Sequence, residues 1–324
     1  MNQFIKKLIL ALLLGVAVYG AFVIWTGVEK VSVALERFEF WTFGLALGLS
    51  SLNYLLRFAK WEYYLSVLGI RGVRKLDSLL IFLSGFVLTV TPGKVGEVFK
   101  SALLDETYSV DAARTAPIVI AERLTDVIGV IGLILIGSLG FEGGVGWALA
   151  GTLCVFVGIA LIHWPTPALR LFQWIETRGP RGEKLAPRLR LAFDSLRTVA
   201  HARTLLIPSL LSLLGWALEG VALGALVHGT GETIALPVAL FFYATSTLAG
   251  AIVPTPGGLG VAETSLESQL VTVGHLSAGA ATLSMLLIRF ATLWWAVVVG
   301  FVALGLLKLR FPTLLSGAQQ EPKS

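Results

Sequence analysis

The chain has 324 residues and a net charge of +5, with 56% apolar and only 14% charged residues. A soluble domain carries roughly 25% charged residues, so the composition excludes a soluble enzyme carrying a membrane anchor and predicts one integral membrane domain over 1–324. The single Cys154 excludes a disulfide or a cysteine metal site within one chain. The basic balance has no aromatic-basic motif beside it, which sets nucleic acid aside and leaves the membrane as the partner of the positive charge.

Lys6 and Lys7 precede an uncharged run from Leu8 to Val28. That run is longer than a signal-peptide core of about 7–15 residues, so it predicts a retained first helix at 7–27. Further full crossings are predicted at 41–69, 112–140, 143–164, 204–228 and 277–307, each at least as long as the roughly 20 residues a bilayer requires. Two other apolar stretches, 77–104 and 236–271, are interrupted at Thr91-Pro92-Gly93 and at Pro254-Thr255-Pro256-Gly257-Gly258. Proline lacks an N–H and clashes with the preceding turn, so neither can be one straight helix. Each half is too short to cross alone, and each stretch reads as a re-entrant hairpin. The basic segment at 165–203 reads either as an amphipathic helix on the membrane surface or as a solvated linker.

With the N-terminus inside, sixteen basic residues fall on cytoplasmic segments, eight of them in 165–203, against Lys30 and Arg37 outside. The positive-inside rule then predicts a multi-pass protein of the cell (inner) membrane with both termini cytoplasmic.

The chain also repeats itself. Thr91-Pro92-Gly93-Lys94-Val95-Gly96-Glu97 is matched by Thr255-Pro256-Gly257-Gly258-Leu259-Gly260-Val261-Ala262-Glu263, and each Glu precedes an intramembrane arginine, Arg123 or Arg289, by 26 positions. The first repeat, 41–140, opens with an inward helix and the second, 204–307, with an outward one. The expectation is an all-α polytopic fold of six full crossings and two oppositely oriented re-entrant hairpins in an inverted repeat. Broken helices meeting at the midplane of inverted repeats are the architecture of secondary transporters.

Thr91 and Thr255 are placed to cap the second half-helix of each hairpin, exposing a positive helix start suited to phosphate or carboxylate. Gly93, Gly96, Gly257, Gly258 and Gly260 either let a head group approach the backbone or only permit tight packing. Arg123 and Arg289 read equally as cationic clamps for an anionic head group, needed more for transport than for folding, and as salt-bridge partners of Glu97 and Glu263. Glu122 and Asp126, four apart on one helix face, read as a proton-coupling pair or as salt-bridge partners. Lys94 and Lys100 stand in the first hairpin only. Arg57, Lys60 and Trp61 fall at helical spacing in the inner half of the second crossing. They read as an interfacial anchor or as a cytoplasmic vestibule. Glu219 is the lone acid of its helix. No HExxH, Walker or Gly-x-Ser-x-Gly pattern occurs, so neither enzyme machinery nor a cofactor is expected.

Arg57-x-x-Lys60-Trp61, the Thr91–Glu97 motif, Glu122-Arg123-x-x-Asp126 and Pro254–Glu263 together resemble the lysylphosphatidylglycerol synthase transmembrane domain family, the flippase-like membrane proteins, over about 8–308. The resemblance implies that members within aminoacyl-lipid synthases flip the modified phospholipid outward, and there a soluble aminoacyl-transferase domain follows the membrane part. The chain stops soon after its last helix, so the expectation is translocation of an anionic-head lipid without that domain and without a nucleotide motor. The alternative is a non-transporting subunit presenting a lipid to a separate glycosyl- or aminoacyl-transferase. A third is an intramembrane lipid-modifying enzyme.

Overall fold

The structure, a computed structural model, describes residues 3–90, 98–138, 153, 180–253 and 255–314. No strand occurs among them; the elements are helices. The predicted crossing at 143–164 and the first tip motif, with Thr91, Gly93, Lys94, Gly96 and Glu97, lie outside the described residues.

Helix α1 (Gln3–Thr26) ends at Gly27, whose φ of 102° is open to glycine, and α2 (Val28–Glu36) leaves it at 95°. Helix α3 (Phe40–Val67) stops at Leu68-Gly69, where Gly69 takes φ 67°. The first broken stretch is α4 (Lys75–Ser84), a 3-10 turn at Gly85–Leu88, and α5 (Phe99–Tyr108). A short α6 (Ala112–Thr115) leads into α7 (Pro117–Ser138). Helix α8 (Pro180–Val199) packs on α6 and α7 and buries Val199 and Ala200. Part of the 165–203 segment is thus a docked helix rather than a solvated linker. Helix α9 (Ala202–Gly229) follows, then the second broken stretch, α10 (Leu236–Ile252) and α11 (Val261–Thr272). Helices α12 (Ala278–Arg289) and α13 (Trp295–Arg310) run on through one π turn at Phe290–Trp294.

Among the described residues, Arg203–Gly229 and Ala278–Arg310 are long and apolar enough to cross a membrane. Leu206, Leu210 and Leu214 of α9 point outward at a spacing of four, a stripe for lipid tails rather than water. Helices α3 and α7 have the length to cross, but each carries three charged residues, Arg57, Lys60 and Glu62 on α3 and Glu122, Arg123 and Asp126 on α7.

Helix α3 packs along α9, α4 along α13, and α10 along α7. Asp77 at the start of α4 accepts from Tyr108 Oη (2.7 Å) at the end of α5 and pairs with Arg310 Nε (2.6 Å) at the end of α13. Both feet of the first broken stretch therefore meet at one side. Glu232, before α10, accepts from the backbone N (3.1 Å) and Oγ (2.6 Å) of Ser277, after α11, which brings the feet of the second stretch together. Glu39 N donates to Gly229 O (2.8 Å), joining the start of α3 to the end of α9.

Candidate functional site

The tip of the second broken stretch departs from the expected capped helix. Thr255 makes no side-chain cap bond, and Pro256–Gly258 forms a single 3-10 turn. Helix α11 begins five residues later, with Gly260 as its N-cap. The reason lies in the backbone: Gly257, Gly258 and Gly260 take φ of 63°, 73° and 88°, left-handed values that prevent a helix from running on from Pro256. Glu263 accepts from Gly260 N at 2.8 Å. The positive end of α11 is therefore already faced by a carboxylate of the chain, not left open for a ligand.

Glu263 is fully buried and pairs with Arg289 Nε at 2.6 Å, while Arg289 Nη2 donates to Gly257 O at 2.7 Å. One guanidinium thus ties the hairpin tip to the helix that follows it, the link that the 26-residue spacing suggested. An arginine at this depth is tolerable in hydrocarbon because its charge is matched by Glu263.

A second cluster gathers on α7. Asp126 Oδ1 accepts from Lys60 Nζ (2.6 Å) and Ser212 Oγ (3.0 Å); Arg123 Nη1 stands 3.3 Å and Arg57 Nη2 3.9 Å from its other oxygen. Lys60 also reaches Ser212 (2.7 Å). This contact depends on the close approach of α7 to α9, since a Cβ on Gly129 would lie 2.8 Å from Leu213 N. Lys60 is 1% exposed and Trp61 is fully buried, so neither anchors at the interface nor lines a vestibule. The carboxylate of Asp126 draws the lysine inward, and no pattern in α3 alone could show that.

One turn earlier, Glu122 pairs with Lys100 of α5 at 2.5 Å, with the ammonium 4.6 Å from the Trp61 ring centre and 5.1 Å from that of Phe82. Of the two readings of this pair, the salt-bridge one matches the contacts: Glu122 holds Lys100, and Asp126 holds Lys60 beside Arg123 and Arg57. Glu219 accepts from Asn53 Nδ2 (2.6 Å) and Tyr243 Oη (2.5 Å).

Two neighbouring cavities border the tip. One of about 90 Å³ is lined by Arg57, Glu219, Tyr243 and Arg289, with Thr89 from the first broken stretch and Gly257 and Gly258 from the second. The other, about 300 Å³, holds Arg123, Asp126 and Thr255 among apolar residues such as Val127 and Leu248. They share the walls Trp216, Thr247, Gly250, Ala251, Gly257 and Gly258. A Cβ on Gly257 would come within 3.2 Å of Leu293 Cδ2 and 3.7 Å of Val90 Cα. Val90 immediately precedes the Thr91 motif, so the chain entering the first tip lies against the second.

The sequence reading missed Asn53, Ser212 and Tyr243, and it left Glu219 without partners. The sole signal was their polarity inside apolar helices, where unpaired polar groups are costly.

Arg123 is 27% exposed at its side chain, and Asp126 keeps Lys60 if the arginine is lost. Arg123→Gln is therefore expected to cost under about 1 kcal/mol of stability. Its melting temperature in detergent should stay near that of the parent.

These features define an all-helical membrane protein with a charged, cavity-bearing interior and an apolar outer face. The chain belongs to the lysylphosphatidylglycerol synthase TM region family, whose profile matches residues 12–300. No curated protein matches it.

Proposed function

We propose that the protein translocates a lipid with an anionic head group across the cytoplasmic membrane, without a nucleotide motor. The observation that carries this reading is the polar cavity shared by both broken stretches. Thr89 and Gly257 wall one space that holds Arg57 and Arg289, enclosed by helices whose outer faces are apolar. Guanidinium groups suit a phosphate, being planar donors that are always charged. Family membership supports a lipid as the substrate class.

The packing supports the inverted repeat. The first helices of the two halves, α3 and α9, pair with each other, while α4 lies on α13 and α10 on α7. Each broken stretch thus packs on the closing helix of the other half, the exchange a two-fold axis in the membrane plane would produce. The joined feet at Asp77–Tyr108 and at Glu232–Ser277 support two re-entrant hairpins entering from opposite faces. On this reading the acyl tails stay in lipid while the head group passes between the tips.

The test is a leaflet assay on purified protein in liposomes. Labelled anionic phospholipid is expected to change leaflets faster than in protein-free vesicles. A folded protein that leaves the label where it was would favour the subunit that only presents lipid.

The basic-residue bias supports a topology with both termini in the cytoplasm and Lys30 outside. A cysteine at position 30 is expected to react with an impermeant maleimide added to intact cells, and one at position 310 only after permeabilisation. The reverse pattern would invert the topology.

A further inference from the structure

We infer that Glu219 carries a proton together with the lipid, making the protein an electroneutral proton–lipid symporter; this rests on the translocation reading above. The inference starts from the charge of the polar cavity. Arg57, Arg289 and Glu219 line the same small space, and Arg289 is held by Glu263 on its far side. A phosphodiester entering it brings one negative charge into a low-dielectric interior, where any change of net charge is expensive. A proton bound by Glu219 as the phosphate arrives keeps the charge of the cavity constant.

The surroundings of Glu219 accommodate both of its forms. Its carboxylate accepts from the amide of Asn53 on α3 and the phenol of Tyr243 on α10. The amide oxygen and the rotatable Tyr243 hydroxyl can each accept from a protonated acid. Every element packed around it presents a known charge or titratable group. Helix α3 brings Tyr54 and Arg57, α10 brings Tyr243, and α12 brings Arg289, paired with Glu263 of α11. On α7, Asp126 and its cations contact α9 at Ser212, two turns before Glu219, roughly 10 Å along the axis. Asp126, Glu122 and Glu263 each bind a lysine or arginine at 2.6 Å or closer. Those contacts hold the hairpins and α3 to the bundle, so protonating any of the three would loosen the frame.

The step balances simply. Glu219 takes a proton from water on the uptake side as the phosphodiester binds Arg57 and Arg289. It returns that proton to water on the release side as the lipid leaves, and only its O–H bond forms and breaks. One proton moves with one monoanion, so a pH gradient drives the cycle and a membrane potential does not.

Two measurements test this. In weakly buffered detergent, short-chain phosphatidylglycerol is added to wild type and to Glu219→Gln, with Trp216 fluorescence reporting binding. Wild type is expected to take up close to one proton per lipid bound and Glu219→Gln close to none. Binding without proton uptake in wild type, or equal uptake by both proteins, would overturn the inference. In proteoliposomes, a pH gradient is expected to displace the leaflet distribution of a trace labelled phosphatidylglycerol about tenfold per unit, and an imposed potential to leave it unchanged. Equilibration without displacement would overturn the coupling but leave translocation standing; no movement at all, with proton uptake intact in detergent, would overturn translocation instead.

Discussion

Lys100→Met is expected to destabilise the protein by about 3–5 kcal/mol, the usual cost of leaving one partner of a buried ion pair behind. Lys100 and Glu122 are each 3% exposed at the side chain and 2.5 Å apart, and they join α5 to α7. Without the ammonium, the buried Glu122 loses its ion-pair partner. The double variant Lys100→Met/Glu122→Gln is expected to regain most of the loss, because the two changes act on one contact and are not additive. Thermal melts in detergent of both single variants and the double variant give the coupling directly. A Lys100→Met protein as stable as its parent would mean that the pair contributes nothing to holding the first broken stretch.

Arg289→Gln is expected to cost a similar amount, about 3–5 kcal/mol, since it strands the fully buried Glu263 and frees Gly257 O. The sequence expectation gave this arginine a role in transport more than in folding; the geometry gives it a structural contact, and the proposed function adds the role in transport. Arg289→Gln/Glu263→Gln separates the two roles. The uncharged pair can still hydrogen-bond across the same gap, so folded yield should recover. The cavity then lacks one of its guanidinium groups, so lipid movement should not recover. Full recovery of movement in the double variant would reduce Arg289 to a structural strut.

The two broken stretches and the Glu263–Arg289 link were legible because each is written in local or repeated residues. Proline and glycine forbid a straight helix wherever they stand, and a spacing that recurs in both halves marks a contact. The details of the tip were not legible. Thr255-Pro256 looks like a cap followed by the first helical residue, yet three left-handed glycines delay the helix to Gly260. Lys60 was misread for a different reason. A lysine near a helix end resembles an anchor until its partner is known, and Asp126 lies 66 residues away on another helix. The same holds for Glu219, whose donors come from α3 and α10. Composition fixes that buried polar groups must be paired, but only the packing of α3, α7, α9 and α10 decides which ones pair.

On the proposed function the head group passes through the cavity that both broken stretches line, and Gly257 stands in its wall. Gly257→Val adds bulk against Leu293 and Val90 and imposes a left-handed backbone costing roughly 1–2 kcal/mol. The decisive measurement compares wild type and Gly257→Val in liposomes, at equal amounts of folded protein, by the rate at which labelled anionic phospholipid changes leaflets. Passage beside Gly257 predicts rapid exchange in wild type and a rate indistinguishable from empty vesicles in the variant. Equal rates in both proteins would contradict it and place the path of the lipid elsewhere.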